Sequence, residues 1–119
     1  METDNLNTIQ NLIAEKEGGK VEFKQTTGQL ERGMETLCAF LNGEGGTVLF
    51  GVKDNGKIIG QEVSDKTKRE IAEAIRQIEP FATITVSYAG VPDTDKKVIA
   101  LYAEEQRYMR PFTYKGRAY

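Results

Sequence analysis

Residues 47–52, Thr-Val-Leu-Phe-Gly-Val, are a nearly continuous apolar run rich in β-formers. Asn42, Gly43, Gly45 and Gly46 close it on one side, and Asp54-Asn55-Gly56 on the other. A strand with one wet face alternates apolar and polar residues, and this run has no polar face to offer water. It predicts a central strand, and the rest of the chain is read around it.

Upstream, Asp4 to Lys16 places Leu6, Ile9, Leu12 and Ile13 at helical spacing, with Gly18-Gly19 as the stop. Val21 to Gln25 alternates, with Val21 and Phe23 on one face and Glu22 and Lys24 on the other, and predicts a short strand. Leu30, Met34, Leu37, Cys38 and Leu41 form a second helical stripe. Asp54-Asn55-Gly56 is a tight-turn signal, with Lys57 to Gly60 expected as the return strand. A third helix is expected from Asp65 to Glu79, with Ile71, Ala74, Ile75 and Ile78 on one face, Ser64 as N-cap and Pro80 at the end. Ala82–Ala89 and Lys97–Ala103 predict two more strands joined by a turn at 91–95. The fold class is α+β: about three helices on one mixed, mainly antiparallel sheet.

The chain of 119 residues is about one domain's worth and can bury a real core. With 39% hydrophobic and 29% charged residues it is neither a disordered tail nor a rod. One domain over 1–119 is expected, as the N-terminal part of a longer protein, because the tail ends on strand-like residues. No apolar run reaches a membrane span, and METDNLNTIQ lacks the basic and apolar regions of a secretory signal. With a single cysteine, Cys38, this fits a reducing cytoplasm.

The absence of histidine removes Ser-His-Asp and Cys-His catalysis within this chain. One cysteine and no histidine also cannot build a zinc site. Any metal must rest on oxygen ligands, which points to magnesium or manganese. Gly51 to Lys57 matches the G-x-x-x-x-G-K spacing of a phosphate-binding loop. That loop needs Ser or Thr next and then a helix, whereas Ile58 and a strand follow, so the segment is a turn.

Two groups of side chains carry chemistry. Glu17, Glu22 and Asp54 are carboxylates that could hold a divalent cation, with Lys24 on the face of Glu22 to neutralise a phosphate. Their alternative reading is a polar strand face and a turn. The stretch from Gln106 to Tyr119 carries Arg107, Arg110, Lys115 and Arg117 and no acid, interleaved with Tyr108, Phe112, Tyr114 and Tyr119. Basic side chains contact phosphates while rings stack on bases or sugars. The alternative has Tyr108 and Phe112 covering the sheet and Arg107 paired with Glu104 or Glu105. A further basic group, Lys66, Lys68 and Arg69, opens the third helix. The net charge of −2 argues against an extended basic groove.

Val21-Glu-Phe-Lys24, the F-x-N-x-x-G-G…G-V-x-D-x-G…G pattern from Phe40 to Gly60, and Arg110-Pro-Phe-Thr-Tyr-Lys-Gly-Arg-Ala-Tyr119 together resemble the Schlafen-type AlbA domain. This is an Alba-like DNA-binding domain of bacterial regulators, helicase-related proteins and Schlafen proteins. The resemblance spans about residues 10–119. It implies an Alba-like α+β fold and a nucleic-acid-binding domain, DNA foremost, of a bacterial transcriptional regulator. Lys24, Arg110, Lys115 and Arg117 are then the phosphate contacts, and Tyr114 and Tyr119 the stacking groups, with no cofactor. Some Schlafen proteins are instead metal-dependent endoribonucleases. Their two glutamates five residues apart and the aspartate after G-V match Glu17, Glu22 and Asp54. That alternative implies magnesium or manganese. Two departures stand out: Glu17 is followed by Gly18-Gly19 rather than Ser, and the usual F-A-N-T is Phe40-Leu-Asn-Gly43. Schlafen nucleases surround RNA with two such lobes, and a homodimer could supply the second here. A third reading is a non-catalytic dimerisation or interaction module.

Overall fold

The central run becomes a strand whose five residues are all buried, because helices cover both faces of its sheet. A computed structural model describes residues 2–15 and 19–119. In chain order they form α1 (Glu2–Ala14), β1 (Val21–Lys24), α2 (Leu30–Leu41), β2 (Gly46–Phe50), α3 (Asp65–Arg76), β3 (Ile78–Glu79), β4 (Ile84–Gly90), β5 (Lys97–Ala103), β6 (Thr113–Tyr114) and β7 (Arg117–Ala118). The main sheet runs β1-β2-β5-β4, with β1 parallel to β2 and the other pairs antiparallel. A small second sheet runs β3-β6-β7. This is the expected α+β architecture.

Strand alternation splits the core in two. Val48 and Phe50 pack with Met34, Leu37, Cys38 and Leu41 of α2, Ile71 of α3, and Phe112 and Tyr114 of the tail. Leu49 points the other way, into a cluster with Val21, Phe23, Val98, Ala100 and Ile9 of α1. Each such fully buried aliphatic or aromatic side chain stabilises the fold by about 1.5–3 kcal/mol. In β1, Val21 and Phe23 are buried while Glu22 and Lys24 take the other face, as the alternation predicts.

Three elements differ from the sequence reading. The first helix covers Glu2–Ala14 and gives way to a turn at Glu15, and its expected end at Lys16 lies outside the described residues. The hairpin after β2 has no return strand, only an isolated bridge between Val52 and Ile58. The cause is Gly51, whose φ of 99° ends the strand and whose carbonyl accepts from both Ile59 and Gly60 N–H. A Cβ on Gly51 would come within 2.9 Å of Gly60 Cα, so the two glycines of the motif exist to let two backbones touch. The third helix stops at Arg76 instead of Glu79. Its last expected residues, Ile78-Glu79, pair with Tyr114 and Thr113 instead. At its other end the Ser64 cap forms as expected: Ser64 Oγ accepts from Thr67 N–H and Thr67 Oγ1 from Ser64 N–H, each at 3.2 Å.

Candidate nucleic-acid interface

The basic tail is held to the body by its apolar residues, which leaves Arg110, Lys115 and Arg117 outside. Phe112 is wholly buried, and the Asn42 side chain at the end of α2 grips its backbone. Asn42 Nδ2 donates to the carbonyls of Phe112 and Tyr119, each at 2.9 Å, and Asn42 Oδ1 accepts from Phe112 N–H at 2.6 Å. The F-x-N motif thus has a mechanical meaning: one amide reaches both backbone groups of a buried residue. The Cys38 thiol lies against the same Phe112 carbonyl, and burial pushes its pKa up, so it is a packing residue and not a nucleophile.

Beyond Phe112 the chain makes a two-residue hairpin. Lys115 and Gly116 both have positive φ, 50° and 82°, the type I′ geometry that matches strand twist. This turn puts Lys115 on Glu31 of α2, and Tyr114 Oη donates to the same carboxylate at 2.8 Å. Those two hydrogen bonds, from Lys115 and then from Tyr114, hold the Glu31 carboxyl below its ordinary pKa. A lowered carboxylate pKa stabilises the fold above the unfolded-state value and stops doing so as pH falls through the folded value. Glu31→Gln is therefore expected to be less stable than the parent at neutral pH and equal to it in acid. Urea denaturation at both pH values checks this. The effect is small because Lys115 and Glu31 are both more than half exposed.

The expected contacts are distributed unevenly. Arg117 stands exposed on β7. Lys115 is exposed but shared with Glu31. Arg110 donates to the Gly43 carbonyl and lies 3.7 Å from Glu105. Tyr119 is partly exposed, with its hydroxyl 3.3 Å from Glu35. Two placements correct the sequence reading. The Tyr114 ring is 2% exposed and has no face for a base, because it fills the core beside α2 and its hydroxyl is tied to Glu31. Lys24 is 13% exposed and paired with Glu22 at 3.3 Å, since the face of β1 that carries both is the one α2 covers.

The two rings that sequence alone left undecided part company. Phe112 joins the core, and Tyr108 is fully exposed. No periodicity could separate them, since they lie in an irregular tail. The structure also joins two basic segments that are distant in sequence. Lys66 and Arg69 of α3 meet Lys115 and the Tyr114 edge around a cleft of about 540 Å³. Glu31, Glu70 and Glu73 line the same cleft, so its charge is mixed.

Of the three carboxylates, Glu17 lies outside the described residues. Glu22 is on β1, and Asp54 is exposed in the turn after β2. Among the described residues no group of three or more Cys, Asp or Glu side chains gathers as a metal-binding set. The Gly51–Lys57 segment is the turn expected, closed by Gly56 N–H to Lys53 O at 2.8 Å, with no helix following until Asp65.

A mixed sheet with a parallel edge pair and helices on both faces makes this a compact α+β domain. The chain belongs to the Schlafen AlbA_2 family, whose model matches residues 17–119. Its fold is similar to the N-terminal domain of a RecG-related protein from Nitrosomonas europaea, at 20% identity and a TM-score of 0.69, covering 93% of this chain and 82% of that one. It is also similar to part of the DIP2311 protein of Corynebacterium diphtheriae, at 20% identity and a TM-score of 0.57. That match covers 81% of this chain and 22% of the other. No curated protein sequence matches significantly. Among the described residues no helix is long and apolar enough to cross a membrane.

Proposed function

We propose that this domain binds nucleic acid, duplex DNA foremost, as the DNA-contacting part of a bacterial regulator, with no cofactor. The observation that supports it is the meeting of two basic segments, Lys66 and Arg69 with Lys115, with exposed Arg117 two residues further along the hairpin. Lysine and arginine at such a surface release counterions from phosphates. Within the tail, Tyr108 and Tyr119 are the rings exposed for stacking, and Arg110 supports the tail at its base. The acids in the cleft weaken non-specific binding and favour a defined docking geometry. Arg117→Ala and Lys66→Ala are each expected to weaken binding and to flatten its logarithmic salt dependence by about one unit. Fluorescence polarisation with labelled duplex DNA and hairpin RNA at several salt concentrations measures both. Affinity that ignores salt, or no affinity for either probe, overturns the reading.

A second reading, a metal-dependent endoribonuclease, draws support from one feature. The Lys24 carbonyl at the end of β1 accepts from Gly51 and Val52 N–H, which tethers the strand of Glu22 to the residues leading into Asp54. Glu22, Asp54 and Glu17 would supply oxygen ligands to magnesium or manganese, and the ion would lower the pKa of a bound water for attack on a phosphodiester. Hairpin RNA should then be cut with manganese by the parent chain and left intact by Glu22→Gln on a denaturing gel. Equal cutting by both, or none by the parent, removes this reading.

A further inference from the structure

The two edges of the main sheet are built differently. The β1 edge is four residues long and carries Glu22 and Lys24. The β4 edge is seven residues long, Ile-Thr-Val-Ser-Tyr-Ala-Gly, and no charged residue or proline occurs from Phe81 to Val91. Proteins commonly blunt an exposed edge with charge, proline, a bulge or short length, and this edge has none of these. On the sheet's α1 face the neutrality continues, for the exposed Asn7, Thr8, Gln10 and Asn11 of α1 are all uncharged.

The unpaired groups can be named. Val91 N–H bonds Lys96 O at 2.9 Å, and Lys97 exchanges both backbone bonds with Gln61, away from β4. In the β4–β5 register of Ile84↔Ala103 through Gly90↔Lys97, antiparallel alternation then turns Thr85, Ser87 and Ala89 toward β5. Ile84, Val86, Tyr88 and Gly90 direct their N–H and C=O outward, and among the described residues no backbone hydrogen bond from outside β4 meets them.

We propose that β4 is a homodimerisation edge, pairing antiparallel with β4 of a second copy about a two-fold axis at Ser87. The occupant is a second copy because the strand is self-complementary in this register. Val86 then faces Tyr88 of the other copy, Ile84 faces Gly90, and Thr85 faces Ala89. Every outward N–H meets an outward carbonyl, with the β-branched–aromatic pairs on the α2 and α3 side of the sheet. No two charges of the strand oppose each other. Lys68, which lies 5.2 Å from the Tyr88 ring centroid, is a charge on that flank, and salt screens its repulsion from its symmetry mate. This dimer thus holds or tightens in high salt, whereas two copies bridged by nucleic acid separate.

The test combines mass with amide exchange on the 119-residue chain. Sedimentation after nuclease treatment in high salt should give twice the 13.3 kDa chain mass. Amide exchange should show Ile84, Val86, Tyr88 and Gly90 protected at high concentration and fast on dilution, with Thr85, Ser87 and Ala89 slow throughout. Thr85→Lys, at an exposed position, should shift the mass toward monomer and leave the melting temperature unchanged at dilutions where the parent is itself monomeric. A monomer at high concentration, or a dimer whose Val86 and Tyr88 amides stay fast, overturns the proposal. The exchange pattern of the parent chain decides the matter even if the variant folds poorly.

Discussion

Asn42→Ala is expected to lower the unfolding free energy by about 1–3 kcal/mol, because the buried Phe112 N–H loses its partner and the Phe112 C=O keeps only the weak Cys38 thiol donor. The conformation at Asn42 is ordinary, φ −83° and ψ −5°, so alanine fits the backbone and the loss belongs to the amide. Both backbone groups of Phe112 are served by that amide, and Phe112 is wholly buried. Urea denaturation followed by tyrosine fluorescence measures the change. A shift below about 0.5 kcal/mol would show that Phe112 packing alone holds the tail. The same substitution should weaken nucleic-acid binding, since it frees the segment carrying Arg110, Lys115 and Arg117.

The second large effect opposes the usual helix rule. Glycine to alanine inside a helix ordinarily stabilises by up to about 1 kcal/mol. At Gly33 in α2, a Cβ would stand 2.6 Å from Phe50 Cζ, 3.1 Å from its Cε1 and 3.4 Å from Val48 Cγ1. Phe50 is fully buried at the C-terminal end of β2, packed among the core residues under α2, and has nowhere to retreat. Overpacking of this kind costs about 1–3 kcal/mol and sometimes more. Gly33→Ala should therefore destabilise by about 1 kcal/mol net, and the larger Gly33→Val by about 3 kcal/mol or more. A Gly33→Ala protein more stable than the parent would mean that α2 can lift from the sheet without loss.

Local signals carried far in this chain wherever one element answers to its own period. The stripe Leu30–Leu41, the alternation of Val21–Lys24, the uniform run of β2 and the strand Lys97–Ala103 all formed with nearly the expected bounds. Signals failed where two distant segments compete for one partner. Ile78 continues the helical stripe of α3, yet its backbone pairs with Tyr114, because the tail brings a strand whose bonds the helix end lacks. The same capture removed Tyr114 from the candidate contact surface. Asn42 and Gly33 look like a helix cap and a weak helix interior until Phe112 and Phe50 stand beside them.

The amino-acid pattern alone determined the α+β class, the central strand, the expulsion of the phosphate-loop reading and the exclusion of histidine and zinc chemistry. These follow from residue type and short-range spacing, which need no partner to be legible. Only the tertiary structure decided that Phe112 is a core residue and Tyr108 a surface ring. It alone joined Lys66 and Arg69 to Lys115, and left β4 rather than β1 as the uncharged edge. Those are questions of which surfaces meet, and burial and pairing depend on contacts between residues that the chain's own order keeps apart.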